Sequence, residues 1–139
     1  MSEDNEGIIR RLFEAVEERK IEPMLEIYHP DVVVREADSL PYGGEYRGHD
    51  GVVQHGLGYV RTWDPVQTDE DRELQLEFVG VGDTVFVLWR QKAHARDGSR
   101  LDLPAISVYR LRNGRVVESQ MHHLDTAALV EFLENEREG

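Results

Sequence analysis

The chain of 139 residues contains no cysteine. That removes a disulfide framework, a thiolate nucleophile and any cysteine-ligated metal. Proline is sparse, at 5 residues, and no apolar run approaches the roughly 20 residues of a membrane span. Positive charge is also short: 16 Lys+Arg stand against 28 Asp+Glu, a formal net charge of −12. Such a balance excludes a nucleic-acid binder, which needs a basic surface for phosphate contacts. The opening MSEDNEG is acidic and unlike a signal peptide. A cytoplasmic protein with no nucleic-acid or membrane partner is expected.

What remains is the composition of a globular domain, 40% hydrophobic and 32% charged. At this length about two thirds of the unfolded surface can be buried, so one domain over 1–139 is expected. The acids are unevenly placed. Residues 1–26 hold 8 acids and 4 bases, 64–77 hold 6 and 1, and 125–139 hold 5 and 1. These read as solvated faces of terminal helices and one loop.

Ile8, Ile9, Leu12, Phe13 and Val16 recur at three and four, an apolar stripe on a first helix. Glu3, Asp4 and Glu6 suit the positive end of its dipole. A second helix starts near Glu22 with Pro23 in its first turn and stops at His29-Pro30, which leaves His29 as a turn residue. Val32-Val33-Val34 reads as a strand, the glycine-rich stretch 39–51 as turns, and Val52 to Trp63 as a helix weakened by Gly56 and Gly58. From Arg72 the period becomes two, giving strands at 72–78, 84–95, 101–111 and 115–124, with Asn113-Gly114 as the strongest hairpin signal. Asp125 caps a last helix, with Leu124 and Leu129 as its hydrophobic staple, and fraying begins at Glu134. The expected fold is α+β, with helices packed on one curved antiparallel sheet.

The stretches YHPDVVVREADSLPYGGEYRGHDGV at 28–52, YRLRNGRVVES at 109–119 and HHLDTAALVEFL at 122–133, in this order of elements, resemble the nuclear transport factor 2-like superfamily. Within it the chain is similar to the SnoaL-like branch of polyketide cyclases. The resemblance implies a cone-shaped sheet with helices on its concave side around a pocket, but a superfold of this kind fixes no single reaction. Glu36 lies where the similar ketosteroid isomerases place their carboxylate base. Ser107 lies where they hold a protonated carboxylic acid, and Leu12 or Phe13 where they have a tyrosine, so both of their oxyanion donors are replaced. The Asp-Arg-Asp set of the similar limonene epoxide hydrolases finds only Asp102 and Arg90. Asp102 has the parity opposite to Leu103, Ala105, Ser107 and Tyr109, which turns it outward.

The residues themselves support one arrangement. Glu36 shares a face with Val32 and Val34, and a desolvated carboxylate is a stronger general base. His123 shares parity with Val117, Ser119 and Met121, so it and not His122 is expected to face inward, unless a bulge swaps the two. His55 and Tyr59, four apart, are expected on one helix face, with Tyr59 as a replacement oxyanion donor. Tyr42, Tyr46, Trp63, Trp89 and Tyr109 are candidate cavity aromatics, joined by His55, Ser107, Ser119 and Met121 as substrate contacts. A metal site would need three converging ligands such as His55, His123 and Glu36, and no spacing in the chain supports one. Tyr42-Gly43-Gly44 lacks phosphate-loop spacing. The resulting expectation is a cofactor-free, metal-free cyclase or isomerase. In it Glu36 abstracts a proton beside a carbonyl, with His123 and Tyr59 stabilising the enolate. The alternative is a non-catalytic pocket for a hydrophobic small molecule. Outward-facing Ile106 and Val108 suggest a homodimer.

Overall fold

The computed structural model describes residues 4–138; Glu3, among the acids assigned to the first helix dipole, lies outside them. Helix α1 (Asn5–Glu18) is capped by Asp4, whose carboxylate accepts from the Gly7 amide at 2.7 Å. It ends at Arg19 in the left-handed region, and the Lys20 amide closes on Ala15. The Arg19 guanidinium grips Asp64 with two hydrogen bonds of 2.7 and 2.8 Å. Ile8, Ile9, Leu12 and Phe13 are buried as their spacing requires, whereas Val16 ends the stripe 38% exposed. Helix α2 (Ile21–Ile27) follows, then β1 (Tyr28–Glu36), β2 (Gly44–Arg47), α3 (Gly48–Trp63) and a 3-10 turn (Asp64–Val66). Four strands complete the sheet: β3 (Glu77–Val81), β4 (Thr84–His94), β5 (Arg100–Arg112) and β6 (Arg115–His123). Helix α4 (Thr126–Glu138) closes the chain.

The six strands lie in the order β2-β1-β6-β5-β4-β3. All pairs are antiparallel except β1 with β6, which run parallel, so the curved sheet is mixed. The α+β reading holds, with helices covering the inner face. Val85, Val87, Trp89, Gln91 and Ala93 of β4 face inward beside Leu101, Ala105, Ser107 and Tyr109 of β5, all buried. The β5–β6 turn has Asn113 at φ 52° and Gly114 at φ 77°, the two positive angles that such a hairpin needs.

Several local expectations are corrected. His29 and Pro30 belong to β1, because α2 ends two residues earlier and the chain goes straight into pairing. The stretch 39–51 hides strand β2. β3 begins at Glu77 and not at Arg72: Gln75 adopts φ 57°, and this breaks the ladder although the Arg90 amide still reaches the Leu74 carbonyl. Leu74, Leu76 and Phe78 remain half-buried, so the alternation is genuine while the hydrogen bonding is not continuous. In β6 a bulge passes the inner position to Val116, which is fully buried, in place of Val117. Leu124 is 75% exposed and makes no staple, though Asp125 does cap α4 through the Ala128 amide. α4 continues as helix to Glu138 instead of fraying at Glu134.

Glycine in α3 has a packing purpose. A Cβ on Gly51 would sit 2.9 Å from the Tyr46 carbonyl carbon, and one on Gly58 2.9 Å from the Tyr42 Cβ. The helix gives up intrinsic propensity in order to lie close against β2 and Tyr42, which carries His55 to the end of β1.

Candidate functional site

Glu36 is the last residue of β1, two steps beyond Val34 on the buried face. Its side chain is 2% exposed. From α3, His55 Nε2 donates to Glu36 Oε1 at 3.0 Å. From β6, His123 Nε2 stands 3.8 Å from Glu36 Oε2, with its side chain 1% exposed. The bulge in β6 lies before Ser119, so the parity of Ser119, Met121 and His123 is untouched and His122 points outward into solvent. Burial holds the His123 imidazole below its ordinary pKa; the Glu36 charge pulls the other way and is outweighed. His123 is therefore neutral near pH 7.

Aromatic rings fix these groups. His55 meets the edges of Tyr46 at 5.3 Å and Tyr42 at 6.0 Å, and Trp89 meets His123 at 5.6 Å. Trp89 Nε1 donates to Ser107 Oγ at 3.0 Å. Tyr59 packs against Tyr42 and Trp89, and its hydroxyl donates to Gln91 Oε1 at 2.7 Å. Helix α3 does present His55 and Tyr59 to the interior, but they serve different partners. Burial drives the Tyr42, Tyr59 and Tyr109 hydroxyls well above the usual phenol range, so all three remain protonated. Tyr109 lies deeper, edge-on to Phe13 at 5.8 Å and in hydroxyl contact with Tyr28 and Ser107.

Trp63 stands apart from this group. It is fully buried in a second cluster with Leu40, Tyr42, Ala93, Leu101 and Leu129, stacked on Phe132 of α4 at 6.3 Å. Its indole N–H donates to the Tyr42 hydroxyl at 2.8 Å, which is its one link to the Glu36 surroundings given by a hydrogen bond. Arg90 and Asp102 form a 2.6 Å ion pair on the exposed side of the sheet, as the parity of Asp102 requires. Among the described residues, no group of three or more histidines and acids is arranged to hold a metal ion.

Several polar atoms on the inner face have no partner in the protein: Glu36 Oε2, both ring nitrogens of His123, Ser119 Oγ and Gln91 Nε2. Each buried unpaired group costs about 1–3 kcal/mol. A polar ligand that satisfies them would account for their retention. A cavity of about 350 Å³ reaches Glu36, Met121 and His123, bounded also by Arg35, Ala37 and Thr126.

One contributor escaped the sequence reading. Gln91 shares the parity of Val85, Val87 and Trp89, and a lone amide on that apolar row was the signal for it. Tyr46, a candidate cavity aromatic, does meet His55, but from a strand, β2, that the glycines around it concealed.

A family described as SnoaL-like domain matches residues 9–119, a span that ends before His123 and α4. Among curated proteins none matches the sequence. Among solved structures the chain is similar to TerC co-crystallised with polyporic acid, at 23% identity, with 94% of this chain and 98% of that one covered and a TM-score of 0.77. It is similar also to an NTF2-like protein of unknown function from Burkholderia pseudomallei, at 29% identity, 95% and 98% coverage and TM-score 0.75. A third is IdmH, a proposed polyketide cyclase from Streptomyces antibioticus, at 16% identity, 93% and 98% coverage and TM-score 0.71. At such identities the structural likeness establishes the fold.

Proposed function

The chain belongs to the SnoaL-like domain family, and we propose that it is a cofactor-free enzyme acting on a small, largely apolar carbonyl compound by proton abstraction, of cyclase or isomerase type. The observation that carries this reading is the buried Glu36, with one oxygen held by His55 and the other unpartnered beside a neutral His123. Glu36 Oε2 takes the proton from the carbon next to the carbonyl. The His123 N–H donates to the oxygen as negative charge develops on it, in a site dry enough for that hydrogen bond to count. His55 fixes the carboxylate's orientation, and Tyr59 fixes the Gln91 amide. Tyr42, Trp89, Ser107, Tyr109, Ser119 and Met121 shape the wall; Trp63 supports it through Tyr42. The polyporic acid held by TerC supports a small organic ligand, and IdmH supports a cyclase-type reaction.

Proton abstraction can be read without the natural substrate, as hydrogen–deuterium exchange beside the carbonyl of 2-tetralone, followed by proton NMR. Glu36→Gln is expected to slow exchange by about 10²–10⁴. Equal exchange by both forms overturns Glu36 as the base.

A second reading, a non-catalytic binding module, is favoured by one observation. The Tyr59 hydroxyl proton is given to Gln91, and Ser107 accepts from Trp89, so two candidate donors to an oxyanion serve the protein itself. In that case Glu36→Gln retains or tightens the binding of a neutral ligand. A homodimer is supported by the outer face, where Ile106 is 40% exposed next to half-buried Val108.

A further inference from the structure

The sheet opens where β1 and β6 part. Their pairing ends at Arg35–Gln120. β1 then turns away through Ala37 toward β2, while β6 continues along β5 to His123. The gap between the carboxyl ends of these parallel strands is the 350 Å³ cavity, and Glu36 and His123 both lie on it. Both side chains are more than nine-tenths buried, and both keep polar atoms without a protein partner.

The other opening, at the Ala93–Leu101 end of the sheet, is shut. α4 lays Leu129 and Phe132 over Trp63, and Leu40, Tyr42, Trp63, Ala93, Leu101 and Leu129 are all buried there. Arg96 fastens the far end of the helix: its amide donates to Glu136 Oε1 at 2.9 Å, and its guanidinium pairs with the same carboxylate.

Resting on the reading of Glu36 and His123 given above, we propose that the ligand enters through the slot between β1 and β6, and that Ala37, Met121 and Thr126 set its size. The slot also limits its chemistry. Of the side chains lining the slot only Arg35 carries a fixed positive charge, and Glu45 and Glu118 already share it, so no free fixed cation stands beside Glu36 for an anionic group. The ligand is neutral, with one oxygen to meet His123 and an apolar body against Met121 and Ala37. A volume of 350 Å³ is at the small end of ligand sites and accommodates one or two rings.

The test uses 4-nitrophenol, a small ring compound whose absorbance reports both binding and ionisation, with association followed by stopped flow. Ala37→Trp fills the slot from the β1 side and Thr126→Trp from α4, so that a folding defect in one leaves the other to decide. Phe132→Ala loosens the α4 cover. Each slot variant is expected to slow association at least tenfold, with Phe132→Ala within twofold of the parent and Glu36→Gln still binding. Slot variants that associate at the parent rate, or a tenfold faster Phe132→Ala, overturn the route and place access under α4. If neither the parent nor Glu36→Gln changes the probe's spectrum, the reading of the site falls, and the route with it.

Discussion

Among the described residues two buried carboxylates, Glu36 and Asp71, are each paired with an imidazole. Glu36 meets His55 at 3.0 Å and Asp71 meets His94 at 2.6 Å, with carboxylate side chains 2% and 1% exposed. In each, one oxygen lacks a protein partner. The two differ in what else surrounds the carboxylate. Asp71 is tied into its own loop: Oδ2 accepts from the Thr68 amide, and the Thr68 hydroxyl accepts from the Asp71 amide. This reciprocal knot, with His94 on β4, straps the segment between α3 and β3 onto the sheet. Nearby Lys92 donates to the Glu70 carbonyl and Gln67 to the Lys92 carbonyl, which tightens the same strap. Glu36 has no such local bond. It is held only by groups from other elements, and it faces a cavity and a second imidazole. A carboxylate tied to backbone amides reads as structure; one held by imidazoles beside a cavity reads as chemistry.

That distinction can be broken by substitution. The largest expected effect is the loss of exchange in Glu36→Gln by two to four orders of magnitude, with unfolding in urea changed little, since the amide can still accept from His55. Asp71→Ala should do the reverse. It leaves exchange intact and costs about 1–3 kcal/mol in urea unfolding, the loss expected when buried hydrogen bonds are removed. Its pH dependence follows from a carboxyl held below its ordinary value. Burial pushes it up, but the Thr68 amide and His94 together outweigh that push. The stabilisation is thus present above about pH 4 and is lost as pH falls through the depressed value, and Asp71→Asn flattens that acid limb.

The comparison sharpens at the imidazoles. His55→Gln keeps a donor to Glu36, and His55→Phe removes it. Phe should lower the exchange rate about tenfold, a loss of the order of one hydrogen bond to a charged group, and Gln should restore most of it. If Phe and Gln behave alike, His55 does no more than fill space. The smallest effect concerns His123. Its pKa lies below 6.5, so the unfolded chain takes up a proton that the folded chain refuses. Stability therefore declines as pH drops from about 6.5 toward the depressed value, and His123→Phe should remove that slope. Because the Glu36 charge raises the His123 pKa, Glu36→Gln should depress it further, which a histidine NMR titration reads directly.

Much of the site was legible residue by residue. Alternation placed Glu36 with Val32 and Val34, and put Ser107, Ser119 and His123 on the inner face. It survived the bulge in β6 because the extra residue, Val117, precedes Ser119. Helical spacing brought His55 inward. Periodicity does not say which neighbour a side chain meets across the fold, however. It paired His55 with Tyr59, yet His55 reaches Glu36 and Tyr59 reaches Gln91. It offered Trp63 as a substrate contact, yet α4 covers that ring.

From its own pattern the chain determined the α+β class, the strands of the meander apart from the start of β3, the hairpin at Asn113-Gly114 and the face on which most strand residues lie, Val116 and Val117 excepted. These depend on local sterics and on the period of burial, and both are written in consecutive residues. Only the tertiary structure decided that β1 runs parallel to β6, that the two separate beyond Arg35, and that the gap opens on Glu36 between two imidazoles. Strand order, and distances between residues 19 and 87 positions apart in the chain, depend on how helices and sheet close over one another, and no short window of sequence carries that information.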